Sequence, residues 1–141
     1  MEDRYLFKAK RTDNGEWVEG VPFEIEGKQV ILIKDNENLL RVHYLEENMW
    51  TAEIYAIEVD SSTICQCTGL KDKNGNLIWE NDVVKINNSK VNMLITFRDF
   101  EIICTIPNEK YKYYKHRLEY DTEYEVVGNI FDNPELLESE G

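Results

Sequence analysis

Apolar side chains in this chain recur at every second position, and turn-forming residues interrupt the alternation at roughly 8–12-residue intervals. Only an extended strand places residues i and i+2 on one face, so the pattern restricts the chain to β-sheets joined mostly by short turns. Tyr5, Phe7 and Ala9 share one face of the first strand. Asp13-Asn14-Gly15 follows, and Asn-Gly supplies the positive φ angles of a tight hairpin. Trp17, Val18, Val21, Phe23 and Ile25 form the return strand, where Pro22 is compatible only with an edge or a bulge. Gly27 breaks the run, Val30 to Ile33 is a short strand, and Leu39 to Leu45 is the next. Glu46 to Val59 fits neither period cleanly, and its β-branched content leans to strand.

Ser61-Ser62 reads as a turn before a compact strand, Thr63 to Cys67. Lys73-Asn74-Gly75 repeats the Asn-Gly turn and leads into Leu77-Ile78-Trp79. Val83 to Ile86 is a strand closed by Asn87-Asn88-Ser89. Val91 to Phe97 and Phe100 to Ile106 make a hairpin about Arg98-Asp99, at the heart of a sheet. Tyr124 to Phe131 is the last strand. Asn133-Pro134-Glu135-Leu136-Leu137 carries an N-cap residue and a proline at the first helical position, so a helical turn closes the chain. The expected fold is all-β, with coiled, strongly bent, barrel-like antiparallel sheets and a short C-terminal helical turn. Ser61-Ser62 is the nearest thing to a boundary. It divides an N-terminal β region, residues 1–60, from a C-terminal one, residues 61–141, and the two are expected to pack as one unit.

The charge excludes some partners. The 141 residues carry a net charge of −12, evenly spread: seven Lys or Arg against fourteen Asp or Glu up to residue 69, then nine against fourteen. Such a surface repels nucleic acid at long range unless a local basic patch intervenes. No run of about 18 apolar residues exists, so no membrane span is expected. The start, Met1-Glu2-Asp3-Arg4, lacks the apolar run of a signal peptide, and three cysteines are too few for a disulfide framework. A reducing cytoplasm, that of a host cell, is the expected compartment.

Motifs that mark chemistry are absent. There is no phosphate-binding loop, no His-Glu-x-x-His and no Gly-x-Ser-x-Gly elbow. Cys65 and Cys67 fall on one face of a strand about 7 Å apart, whereas structural zinc sites converge their cysteines on a turn. With Cys104 they read as small packing residues, and His43 and His116 stand alone. No catalytic, cofactor or metal residue is therefore expected. Asp72 and Asp82 form a carboxylate pair that turn geometry explains without acid–base chemistry. The one basic, aromatic-interleaved stretch is Lys110 to Arg117. Tyr111, Lys112, Tyr113, Tyr114, Lys115 and Arg117 have the composition of a single-strand nucleic-acid binder, in which rings stack on bases and cations track phosphates. A solvated strand whose lysines lie over tyrosine rings, or a subunit contact, accounts for it equally.

Thr68-Gly69-Leu70-Lys71-Asp72-Lys73-Asn74-Gly75 with Ile78-Trp79-Glu80-Asn81-Asp82-Val83-Val84 resembles the signature of the YopX-like family of phage and prophage proteins. Tyr124 to Leu137, with Gly128-Asn129-Ile130-Phe131-Asp132-Asn133-Pro134-Glu135-Leu136, resembles the family's closing strand. Cys67 stands where the family has Tyr, which favours packing. Asn81 stands where it has Gly, and Asn is the best substitute at positive φ. Phe7-Lys8-Ala9-Lys10 matches Phe-Arg-Ala-Trp loosely, so the contact of that Trp is lost or moved to Trp17. The resemblance implies bent all-β sheets and a gene carried by a phage or prophage, and it implies no reaction. The expected function is a non-enzymatic accessory protein that binds another macromolecule, a protein first and a nucleic acid second. An enzyme assembled from separate strands ranks last. Edge strands and tyrosines also favour a homo-oligomer.

Overall fold

The computed structural model describes residues 6–33, 40–54, 56–98, 101–106, 115–117 and 122–138, with the backbone alone for residues 33, 40–45, 50–54 and 115–117. The described residues fall into two compact units, one within Tyr5–Cys65 and the other within Gln66–Gly141.

The first unit contains β1 (Phe7–Lys10), β2 (Trp17–Ile25), β3 (Lys28–Ile33), β4 (Leu40–Glu46), β5 (Met49–Ile54) and β6 (Ala56–Glu58). Four of them pair antiparallel in the order β6-β3-β2-β1, and β4 and β5 make a separate hairpin. Alternation works as the sequence predicts for β1: Ala9 is fully buried and Phe7 packs beside it, with Val18, Ile31, Val59 and Ile64 completing a small core. Pro22 obeys the edge rule in a local form. β2 is nine residues long, and β1 pairs only with Trp17 to Gly20, so Pro22 lies where only β3 is its neighbour among the described strands. The turn from β2 to β3 was less legible. Ile25 faces Lys28, and both residues between them have positive φ, Glu26 at 50° and Gly27 at 79°.

That geometry is a two-residue hairpin turn, which favours Asn or Gly at its first central position. A glutamate there carries the steric cost of the left-handed region, about 1–2 kcal/mol. Glu26→Asn is expected to raise stability by about 0.5–1 kcal/mol, read as a higher urea midpoint at unchanged slope. In the two Asn-Gly turns the sequence expectation is corrected. Only the glycines adopt positive φ, Gly15 at 74° and Gly75 at 84°, and neither preceding asparagine does. At the second turn Gly75 N–H donates to Asp72 O (3.0 Å) and Asp72 N–H to Asn76 O (2.8 Å), closing a three-residue loop in which glycine alone needs that conformation.

The second unit opens with β7 (Cys65–Lys71), preceded by a 3-10 turn over Ser61–Thr63 rather than by strand from Thr63. It continues with β8 (Leu77–Trp79), β9 (Asp82–Ile86), β10 (Met93–Arg98), β11 (Glu101–Thr105), β12 (Lys115–Arg117) and β13 (Tyr124–Asn129). β7 and β8 form a hairpin, and the rest form an antiparallel sheet ordered β12-β11-β10-β9-β13, with the β10–β11 pair inside it. Leu70, Ile78, Val84, Met93, Ile95, Cys104 and Tyr124 make its core. The all-β expectation holds. Each sheet is open along the described strands, without barrel closure, and register breaks at Val126/Gly128, Cys67/Lys71 and Tyr44/Glu46 supply the bends. The C-terminal helical turn is a 3-10 turn over Pro134–Leu137.

Candidate functional site

The residues from Thr68 to Val84 form a hydrogen-bonded knot centred on Asp72. At Gly69 β7 bulges, with φ 83°. The Thr68 hydroxyl repairs the interrupted ladder: it donates to Ile78 O (2.7 Å) and accepts from Leu70 N–H (3.1 Å). Asp72 is only 6% exposed, and its carboxylate is filled by backbone donors. Oδ1 accepts from Asn74 N–H and Asn76 N–H, both at 2.9 Å, and Oδ2 accepts from Val126 N–H of β13 at 3.1 Å. Beside it Lys73 N–H donates to Tyr124 O (2.8 Å), and the Lys73 ammonium lies 3.4 Å from Glu125. One carboxylate thus closes the hairpin and ties it to the last strand.

Burial pushes the Asp72 carboxyl upward, but the N–H groups of Val126, Asn76 and Asn74 outweigh it and hold it below the ordinary aspartate value. A group so occupied is ionised at neutral pH and a poor proton acceptor, the reverse of a general base. Asp82, the other half of the carboxylate pair, accepts Trp79 N–H at 2.8 Å and is also buried. Between them Asn81 adopts φ 71°, as expected of a glycine substitute. It donates its N–H to Ile95 O and accepts Ile130 N–H on its own carbonyl.

The closing motif has an equally architectural explanation. A Cβ on Gly128 would stand 2.5 Å from Asn133 Oδ1 and 2.7 Å from Leu136 Cδ1, so a larger residue would have to displace the two side chains that the 3-10 turn lays onto β13. Asn133 occupies the N-cap position without capping: its side chain accepts Asn129 N–H (3.2 Å) instead. Asn129 Oδ1 in turn accepts the N–H groups of Phe131 and Asp132, and Asn92 donates to Leu136 O.

Tyr111, Lys112, Tyr113 and Tyr114 lie outside the described residues. Lys115 and Arg117 are placed by backbone in β12, which stands at one edge of the five-stranded sheet among the described strands. Cys65, Cys67 and Cys104 are buried, and none of them is in a disulfide. Burial pushes the Cys104 thiol up to about 12, which leaves it protonated and inert at neutral pH. Among the described residues no group of three His, Cys, Asp or Glu is placed to hold a metal ion, and no helix is long and apolar enough to cross a membrane.

Sequence reasoning missed the outer face of the first unit's sheet. Trp17, Glu19, Val21, Phe23 and Ile25 alternate onto it from β2. Val21, Phe23 and Ile25 are 46%, 54% and 43% exposed. Leu32 and Val30 of β3 stand opposite Val21 and Phe23 on the same face, and Lys28 stands opposite Ile25. At the other end Lys10 and Lys8 of β1 sit over Trp17, with Nζ 5.4 and 4.6 Å from the ring centroid. Lys10 lies directly opposite Trp17 in register. The signal was present but pointed the wrong way, because three apolar residues at alternate positions normally mark the buried face.

Residues 6–138 match the sequence model of the YopX protein family. Among solved structures the chain is similar to the crystal structure of protein EF1440 from Enterococcus faecalis. They share 25% identity over 94% of this chain and 96% of that one, with a TM-score of 0.57. No match was found among the curated proteins. The Asp72 knot, the Asn81 bridge and the folded-down closing turn all lie within the matched span, and the chain belongs to the YopX protein family.

Proposed function

We propose that this chain is a non-catalytic accessory protein of phage or prophage origin that works in the host cytoplasm by binding another protein. The observation that carries this reading is the stripe Val21, Phe23 and Ile25, each half-exposed on one sheet face. Contiguous exposed apolar side chains are costly to keep in water and mark association surfaces. Val21, Phe23 and Ile25 are the larger part of the exposed large hydrophobics among the described residues, the others being Met49 and Val91. The two distinctive motifs support the same reading from the opposite side. Their carboxylates serve the backbone, as Asp72 and Asp82 do, and the family resemblance brings no reaction with it. The net charge of −12 suits a partner with a basic surface.

The test is capture from host lysate by the immobilised full chain, compared with Phe23→Asp, at about 50 and 150 mM salt. A protein retained by the unaltered chain and lost with the variant is the expected result. Nothing above background at either salt concentration overturns the reading. The nucleic-acid alternative rests on the place of Lys115 to Arg117 in an edge strand, and adding oligonucleotide to the same columns separates the two.

A further inference from the structure

We propose that Asn14 is a site of spontaneous covalent modification, losing its side-chain amide through a cyclic imide to give aspartate and isoaspartate, and that the Asp72 carboxylate withholds the same reaction from Asn74. The proposal goes beyond the protein-binding reading and does not rest on it.

Two asparagines of this chain precede a glycine, Asn14 and Asn74. With no Cβ on the following residue, the backbone nitrogen of that residue is free to swing against the asparagine side chain. The glycine nitrogen gives its proton to hydroxide and attacks Cγ, forming an N–Cγ bond. The Cγ–Nδ2 bond breaks, and Nδ2 takes a proton from water and leaves as ammonia. A second water then opens the imide ring at either of its carbonyls. One opening restores the ordinary main chain and leaves aspartate. The other routes the main chain through the side-chain carbon as isoaspartate, which lengthens the loop between the paired residues Lys10 and Trp17 by one carbon. Water is the sole co-reactant, and nothing is oxidised or reduced.

Exposure does not separate the two sites, since both asparagines and both glycines are exposed. Nor does the hydrogen bond that the attacking nitrogen must give up. Gly15 N–H donates to Arg11 O and Gly75 N–H to Asp72 O, both at 3.0 Å. Each loop is also tied to a neighbouring strand, through Thr12 N–H to Glu58 O (3.2 Å) and Lys73 N–H to Tyr124 O (2.8 Å).

The difference lies in the amide two residues beyond each asparagine. Glu16 N–H donates to Asn14 Oδ1 at 2.9 Å. That bond draws electrons from Cγ and folds the side chain back, so that Gly15 N lies inside the ring the bond closes. Oδ1 carries the negative charge of the tetrahedral intermediate, and a backbone donor already stands beside it, as in an oxyanion hole. At the second turn the corresponding donor, Asn76 N–H, is held by Asp72 Oδ1 at 2.9 Å, together with Asn74 N–H at the same distance. It is therefore not available to Asn74 Oδ1.

Charge acts in the same direction. The Asp72 carboxylate sits within the second loop, and a negative charge beside Gly75 N opposes the loss of its proton. Asp13, the neighbour of Asn14, is turned instead to Arg11, whose Nε and Nη2 lie 2.8 and 2.7 Å from its two oxygens. The first loop thus has its acidic neighbour neutralised, and the second has a carboxylate at its centre.

The test is peptide mass spectrometry of the full chain held in mildly alkaline buffer over weeks, with fragment ions that distinguish isoaspartate from aspartate. Asn14 should convert at least several-fold faster than Asn74, and ion exchange should resolve a species carrying one negative charge beyond the −12 of the unaltered chain. In urea sufficient to unfold the chain both turns are lost, and the two rates should come together. Asp72→Ala should raise the Asn74 rate several-fold and leave the Asn14 rate unchanged. The proposal is overturned by an unreactive Asn14, by any other asparagine converting first in the folded chain, or by a preference for Asn14 that persists in urea. An Asn74 rate indifferent to Asp72→Ala in a folded variant overturns it as well. If circular dichroism shows that variant unfolded, the comparison with urea decides alone.

Discussion

Asp72→Ala is expected to cost about 3–5 kcal/mol, a large share of the roughly 5–15 kcal/mol that holds a domain of this kind together. The carboxylate accepts from three backbone N–H groups, two within its own hairpin and one on β13. Alanine leaves all three without that partner. A buried donor deprived of its acceptor costs about 1–3 kcal/mol, and the exposed position of Asn74 and Asn76 lets water relieve part of the loss. Hydrogen exchange should localise the damage, with the Val126 amide losing protection first.

Asp72→Asn isolates the charge. The native carboxyl is held below its unfolded value of about 4, so its ionised form favours the folded state. That contribution is complete above the unfolded value and is lost as pH falls through the native one. The stability difference between the unaltered chain and Asp72→Asn should therefore be constant above about pH 5 and shrink progressively in acid. Urea titrations at a series of pH values read it directly. A difference independent of pH would mean that the hydrogen bonds matter and the charge does not.

Gly20→Ala is expected to disrupt the first unit. Gly20 is buried where β2 leaves β1 and runs on beside β3, and a Cβ there would overlap the carbonyl oxygen of Leu32 and stand 2.9 Å from Ile31 Cγ2. A flexible side chain could yield, but a backbone carbonyl inside a ladder cannot without separating the strands. The cost is expected to exceed about 3 kcal/mol, beyond the ordinary range for a point change. Gly27→Ala provides the comparison. Nothing lies within 4 Å of its added carbon, so only the φ of 79° is strained, at about 1–2 kcal/mol. Thermal melts of the two variants should rank Gly20→Ala far below Gly27→Ala. Equal melting points would show that β2 and β3 approach less closely than described.

Much of the fold was legible because its signals are local. Gly69, Gly75 and Asn81 announced positive φ by residue type, and each adopts it. Pro134 marked the closing turn and is its first residue. The Asn133 cap failed because a nearer competitor, the Asn129 amide, takes the side chain that would have capped the helix. The part Asp72 plays was only half visible. A turn aspartate was expected, but its bond to Val126 spans 54 residues and no local pattern announces it. Period-two alternation likewise found β2 but not the direction in which its faces point.

By itself the amino-acid order determined that this chain forms antiparallel strands and where most of its turns fall, because these follow from side-chain type and short-range backbone sterics, and its two motifs resemble those of the YopX protein family. Tertiary structure alone decided which side of β2 meets solvent. Ala9, Val18 and Ile31 pack together on one face, and the closeness of Gly20 to Leu32 permits it. In an alternating strand burial of that face turns Val21, Phe23 and Ile25 outward, since neighbouring side chains cannot share a side.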